Sequence, residues 1–302
     1  MKVASEMPTT IETQELGRRL CPGCGNREGR RAGSKNGFEI LVCGSCKTIY
    51  TDRLPASSET EDYDHYYSET NLTAPEFVNV IVAELIAGFE KYRTRGRLLD
   101  IGFGSGNLLH EAREQGWEVY GIEVSAPAFE QAKSRGFNVF HGDLVAAAYE
   151  NEFFDVVCAS EILEHLPDPQ NALKEVARIL RPGGLLWATT PSAGSLSFRI
   201  SGAKWSVISP PEHTQLFSKK AVSDMLSKAG FSRIRLRTHG FNPTEVINNL
   251  RNVNPEVSRV ESGYRLNENL TRTPIRRGVK RILNGSLNAL RLGDSLKIFA
   301  ER

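Results

Sequence analysis

Leu98-Leu99-Asp100-Ile101-Gly102-Phe103-Gly104-Ser105-Gly106-Asn107 is the stretch whose reading decides the fold. An apolar run ending in an acid enters a turn with glycine at every second position. The turn opens into the helical pattern Leu108-Leu109-His110-Glu111-Ala112-Arg113. A strand, tight turn and helix in this order bring backbone N–H groups and a helix N-terminus close to a ligand. Residues without a β-carbon are what permit that approach.

The following chain repeats the alternation. Trp117–Glu123 is a second strand ending in a carboxylate, placed about 20 residues after the glycine turn, where an acid can accept ribose hydroxyls. A helix over 126–135 and a strand over 138–141 lead to Gly142-Asp143-Leu144. Phe153–Ser160 makes a fourth strand, and Leu180–Leu186 a fifth with its preceding turn. Alternating strands and helices imply a mostly parallel sheet covered on both faces, with ligands at the carboxyl ends of the strands.

The spacing Gly-x-Gly-x-Gly departs from the Gly-x-Gly-x-x-Gly of dinucleotide dehydrogenases. With Asp100, Glu123 and Asp143 in this order, it resembles the cofactor loop of class I S-adenosylmethionine-dependent methyltransferases. The resemblance covers about 76–240 and the extreme C-terminus. It implies an α/β, Rossmann-like seven-stranded methyltransferase sheet with the last strand inserted antiparallel, here Ser295–Ala300 beside a sixth strand at 234–237. It further implies S-adenosylmethionine contacts from Asp100, Gly102, Phe103, Gly104, Gly106, Asn107, Glu123, Val124, Asp143, Leu144 and Ser160, with Asp143 beside the adenine amino group.

Upstream, Cys21-Pro22-Gly23-Cys24 and Cys43-Gly44-Ser45-Cys46 are two knuckles joined by a strand over 37–42. Paired Cys-x-x-Cys knuckles converge on one ion, and Cys21, Cys24, Cys43 and Cys46 close a tetrahedron around structural Zn2+. Two disulfides or four free thiols are the alternatives. Cys158, in an apolar strand, is expected to be a core residue.

The domain plan is therefore a tail (1–20), an N-terminal zinc ribbon (21–55), a linker or lid (56–75) carrying Tyr63, Tyr66 and Tyr67, and a methyltransferase domain (76–302). A helix from Pro75 with Phe77, Val80, Ile81, Leu85 and Phe89 is expected to lie on the sheet. A helical insertion occupies about 241–293, before the last strand. No N-terminal stretch resembles a signal peptide, and no apolar run approaches the ~20 residues of a membrane span, so a cytoplasmic protein is expected.

Two histidines carry the chemistry in this reading. Glu161-Ile162-Leu163-Glu164-His165 follows the fourth strand and is similar to the Glu-x-x-Glu-His of ubiquinone-type O-methyltransferases. Methyl transfer is an in-line displacement needing alignment and, for a hydroxyl acceptor, removal of a proton. His165, His213 and Glu161 are the catalytic candidates; each histidine can be the base or merely shape its pocket. Ser192–Val207, with Phe198 and Trp205, is expected to wall the acceptor site.

Function then follows as transfer of a methyl group to a small molecule, sugar or lipid-linked glycan, most simply to oxygen. An RNA methyltransferase using ribbon and basic helix, and a non-catalytic cofactor-binding module, are the other readings. A net charge of +2 disfavours nucleic acid as a partner. Arg272, Arg276, Arg277, Lys280, Arg281 and Arg291 lie in a stretch without acids from Asn269 to Gly293. Interleaved aliphatics make 272–291 a basic amphipathic helix that can touch an anionic membrane, hold a phosphate, or dock on its own domain.

Overall fold

The computed structural model describes residues 19–56, 76–251 and 273–302. The tail up to residue 18, all but the first residue of the linker or lid expected over 56–75, and insertion residues 252–272 lie outside the described residues.

The chain opens with three short strands, β1 (Gly29–Lys35), β2 (Phe38–Cys43) and β3 (Ile49–Thr51). After α1 (Glu76–Ala87) the alternation begins: β4 (Arg97–Ile101), α2 (Asn107–Glu114), β5 (Glu118–Glu123), α3 (Ala126–Ser134) and β6 (Asn138–His141). It continues through β7 (Phe154–Ser160), α4 (Pro169–Ile179), β8 (Leu180–Pro191) and α5 (Leu196–Ser201). A strap containing β9 (Gln215–Leu216) precedes α6 (Lys219–Lys228), β10 (Ser232–His239), α7 (Pro243–Arg251), α8 (Pro274–Leu290) and β11 (Ser295–Glu301).

The main sheet has seven strands in the order β10-β11-β8-β7-β4-β5-β6. The five from β8 to β6 run parallel, and β11 inserts antiparallel between β8 and β10. Continuous apolar runs suit strands covered on both faces: Leu98, Leu99, Val156, Val157, Leu185 and Leu186 are all buried, as is Cys158. The sheet thus matches the expected Rossmann-like methyltransferase topology, and β8 extends past Leu186 to Pro191.

At the amino edge of the sheet a single carboxylate fastens the entry to β4. Asp155 Oδ2 accepts from the backbone N–H groups of Thr94 (3.0 Å), Arg95 (2.7 Å) and Gly96 (2.6 Å), and Oδ1 pairs with Arg181 Nε at 2.5 Å. Burial raises the Asp155 pKa, but Arg181 and the three N–H groups outweigh it and hold the carboxyl below its ordinary range.

The packing bears on three expectations, and corrects the first. In α1 Val82, Leu85 and Ile86, with Phe89 just beyond its end, face the core, whereas Val80 and Ile81 stay exposed. Both sets have the spacing of one helix face, and the face that packs is the one rotated toward Val82 and Ile86. Trp205 and Val207 do not stand open as a wall: they are fully buried with Ile40, Ile49, Ile208 and Leu216 in a core shared by the ribbon and the strap. Helix α8 is neither simply docked nor simply free. Leu287 is buried and Asn288 Oδ1 accepts from Thr238 N at 2.9 Å, while the opposite face is exposed.

The ribbon shares backbone hydrogen bonds with the rest of the chain. β1, β2 and β3 form a four-stranded antiparallel sheet whose fourth member is β9. Ile49 pairs with Leu216 and Tyr50 with Gln215. Cys21, Cys43 and Cys46 share a buried cluster with Phe217, Ala221 and Val222 at the start of α6. Among the described residues no helix is long and apolar enough to cross a membrane.

Candidate active site

The glycine turn adopts the backbone that its sequence requires. Gly102 (φ 68°), Gly104 (φ 50°) and Gly106 (φ 73°) are all left-handed. At Gly102 a β-carbon would stand 2.2 Å from Ile162 Cδ1, so only glycine lets the loop after β7 close over the turn. Gly106 hands the chain to α2 at Asn107.

Two buried acids lie beneath this turn. Glu123, at the end of β5, accepts from Gly104 N (2.9 Å), Val124 N (2.8 Å) and Ser125 N (3.0 Å), which fixes both carboxylate oxygens against the loop. Asp100, at the end of β4, has its pKa raised to about 8, by burial first and by the Glu123 charge second. A cationic ligand brought close to this crowded pair of buried acids would favour their ionised forms. S-adenosylmethionine, with its sulfonium and ammonium groups, meets that requirement, and the left-handed glycines leave room for its approach.

The remaining cofactor candidates distribute around the same edge. Asp143 Oδ1 accepts from Ala146 N at 2.8 Å in the loop after β6, and Leu144 is buried behind it. Val124 is half exposed (51%). Ser160 Oγ lies 2.9 Å from Thr189 Oγ1. Phe103 is buried in the core facing Gly121, where a β-carbon would stand 2.5 Å from its ring. Its side chain therefore packs beneath the turn and does not face a ligand from above.

The loop after β7 meets the strap at the carboxyl edge. The His165 and His213 rings are 4.7 Å apart, edge to face. His213 Nδ1 donates to Val207 O at 2.8 Å, which directs Nε2 away from that carbonyl. Burial, then the neighbouring His213, lowers the His165 pKa to about 4, so its imidazole is neutral at ordinary pH. Glu161 is exposed and sits in the left-handed region at φ 54°, a backbone strain that loops keep at ligand sites.

Glu164 belongs to the Glu-x-x-Glu-His run expected near the reacting centre, but its local pattern does not announce that it is buried. It is fully buried and accepts from Thr190 Oγ1 at 3.0 Å through Oε2. Burial and the nearby Glu161 push its pKa well up. Glu164, His165 and His213 each bring one ligand-capable atom within 4.8 Å of the others, a donor set that can take a divalent cation.

The strap is laced to this loop. Thr214 N donates to Glu164 O at 3.2 Å, and Gln215 Nε2 donates to Leu163 O (3.1 Å) and Leu166 O (2.6 Å). From the ribbon side, Arg19 Nη2 reaches Gln215 Oε1 at 2.5 Å and Thr51 N donates to Thr214 O at 3.0 Å.

In the ribbon, the Sγ atoms of Cys21, Cys24, Cys43 and Cys46 lie within 4.8 Å of one another, with Cys21–Cys46 and Cys24–Cys43 contacts of 3.5 Å. All four are free cysteines, and a hydrogen bond between Cys21 and Cys46 lowers the pKa of Cys46 while raising that of Cys21. Four sulfurs gathered around one point are the donor set of a closed tetrahedral zinc site.

Comparison with known proteins agrees with this geometry. A family model described as "Methyltransferase domain" matches residues 75–236, more than half of the chain. A ubiquinone biosynthesis O-methyltransferase of Thiobacillus denitrificans is 30% identical over 49% of this chain and 69% of its own length. A 27-O-demethylrifamycin SV methyltransferase of Amycolatopsis mediterranei is 33% identical over 42% of this chain and 50% of its own length. These alignments leave out about half of this chain. A solved SAM-dependent methyltransferase of Archaeoglobus fulgidus superposes with a TM-score of 0.54, at 20% identity, covering 80% of this chain and 100% of that one, a likeness of fold. The chain belongs to the S-adenosylmethionine-dependent methyltransferase family.

Proposed function

We propose that this methyltransferase acts on an oxygen of a small molecule, sugar or lipid-linked glycan, with His165 as the base. The observation that carries this reading is the neutral His165 ring beside His213 at the carboxyl edge of the sheet. The names of the two curated relatives, both O-methyltransferases acting on small molecules, support the choice of oxygen.

S-adenosylmethionine, when bound, supplies an electrophilic methyl on a good leaving group. Glu123 and Asp143 would hold the nucleoside and the backbone of Gly102, Gly104 and Gly106 would line its path, with Phe103, Asn107, Val124, Leu144 and Ser160 around it. His165 takes the acceptor proton as the oxygen attacks. His213, its Nδ1 tied to Val207 O, confines the acceptor, and Glu161 lies at the rim. Cys21, Cys24, Cys43 and Cys46 would hold structural zinc, and free thiols there suit a cytoplasmic setting.

The test is transfer of labelled methyl into a fractionated cell extract, counting lipid, glycan, RNA, protein and small-molecule pools for the wild type and for His165→Ala. Label in small-molecule, glycan or lipid pools that falls by a factor of ~100 or more in His165→Ala, with cofactor affinity retained, is the expected result. Label in RNA overturns the acceptor class. An undiminished rate in the variant overturns the role of His165.

A further inference from the structure

Helix α8 presents an apolar face that the methyl-transfer reading does not use. At about 100° per residue, Ile275, Val279, Ile282, Leu283, Ser286, Ala289 and Leu290 fall within one arc of roughly 120°. Six of these seven residues are apolar. Exposure is high along the arc: 80% at Ile275, 54% at Val279, 72% at Ile282 and 65% at Leu290. A soluble helix normally turns such a stripe inward, yet here the inward face consists of Leu287, Asn284 and Asn288. Gly240 N donates to Asn284 Oδ1 at 3.1 Å and Thr238 Oγ1 to Leu287 O at 3.1 Å. The helix is fastened to β10 by its polar side and shows its apolar side to solvent.

The borders of the stripe are cationic. Arg276 borders the arc on one side and Arg281 lies beyond its other side, both exposed, whereas Lys280 is half-buried on the docked face beside His239 and Lys297, and no acid occurs between Asn269 and Gly293. An exposed aliphatic stripe flanked by cations is the arrangement of a helix lying in the plane of a bilayer interface. A second copy of the chain is a poor occupant, because face-to-face pairing would bring the cationic borders together. Charge complementarity selects an anionic lipid surface.

We infer that α8 docks this protein on anionic phospholipid membranes, with Ile275, Val279, Ile282 and Leu290 entering the acyl boundary and Arg276 and Arg281 meeting the headgroup phosphates. The inference stands apart from the identity of the methyl acceptor, and its failure would leave the acceptor reading intact.

The experiment is co-sedimentation of the full chain with vesicles of phosphatidylcholine mixed with phosphatidylglycerol, against phosphatidylcholine alone, with S-adenosylmethionine affinity measured in parallel. The expected result is binding to the anionic vesicles that weakens with salt. Val279→Asp with Ile282→Asp should reduce it at least about tenfold, and Arg276→Gln and Arg281→Gln about fivefold each, all with unchanged cofactor affinity. The glutamine variants leave the apolar face intact, so they keep the inference testable if the aspartate pair fails to fold. Failure of the wild type to bind anionic vesicles overturns it. So does equal binding by the variants, concentration-dependent dimerisation lost in Ile282→Asp, or a fall in thermal stability of the aspartate pair showing that the chain itself covers the stripe.

Discussion

Tyr50, on the last strand of the four-cysteine ribbon, pairs antiparallel with Gln215, two residues beyond His213. Gln215 in turn donates to the carbonyls of Leu163 and Leu166, which flank Glu164 and His165. One peptide segment therefore joins the ribbon to both candidate histidines. The ribbon's physical contribution to the site is to hold the strap against the loop after β7.

That connection predicts that the ribbon governs turnover and not cofactor binding. Cys46→Ser, or removal of metal by a chelator, should free β3 from β9 and let His213 drift. A displacement of about 1 Å at a reacting group costs on the order of a hundredfold in rate. The expected outcome is a fall of that size in kcat with S-adenosylmethionine affinity, set by Glu123 and the glycine turn, changed by no more than a factor of about two. Isothermal titration beside a methyl-transfer assay checks both halves.

The sheet was legible because each of its signals is local. Asp100-x-Gly-x-Gly-x-Gly requires a turn with left-handed residues whatever surrounds it, and the runs of Val, Leu and Ile mark strands covered on both faces. The site was half legible. His165 and His213 stood out as residue types, but their 4.7 Å approach depends on the β3–β9 pairing, a contact across 165 positions between Tyr50 and Gln215 that no local pattern announces. Glu164 was legible as a neighbour of the reacting centre, but its burial was not, for the same reason: it depends on Thr190 and the strap folding over it. In α8, the apolar period was visible, yet which face would dock depended on Asn284 and Asn288, whose partners lie on β10 and just beyond it.

Glu123 provides a second prediction. Its carboxylate accepts three backbone N–H groups, so it organises the glycine turn before any ligand arrives. Charge-assisted hydrogen bonds of this kind contribute about 1.5–3 kcal/mol each. Glu123→Ala should lower S-adenosylmethionine affinity by a factor of about 100 and also lower the melting temperature. Glu123→Gln, which keeps one acceptor oxygen, should lose affinity with a smaller loss of stability. Unchanged affinity in Glu123→Ala would remove the carboxylate from the cofactor site.

The lowered pKa of His165 predicts where the pH–rate profile bends. With that pKa at about 4, the imidazole stays neutral well below the ordinary histidine range, and the acidic limb of kcat should lie near pH 4 to 5 in place of one near 6.5. The same shift has a stability consequence shared by His239, also lowered to about 4, by burial and then by Lys297. Between pH 6.5 and 4 the unfolded chain binds protons at these positions that the folded chain refuses, so stability is present above 6.5 and declines as pH falls toward 4. A limb at 6.5 that disappears in His165→Ala would overturn the assignment of a buried neutral base.

Asp155 and Arg181 set the last prediction, at the edge of the sheet away from the chemistry. Asp155 is fully buried, and its two oxygens serve three backbone N–H groups and one guanidinium. Asp155→Asn keeps the shape but replaces an acceptor oxygen with a donor facing other donors, leaving Arg181 without its counter-charge. Breaking such a buried arrangement costs about 3–5 kcal/mol, whereas Arg181→Met, which leaves the three N–H bonds in place, should cost less. Because the folded pKa of Asp155 is depressed, its contribution is complete above the ordinary carboxylate range and is lost as pH falls through the depressed value. Urea titrations at pH 7 and at successively lower pH should therefore show the gap between wild type and Asp155→Asn narrowing with acid. A gap that stays constant would mean that packing around residue 155, and not its charge, holds the start of β4.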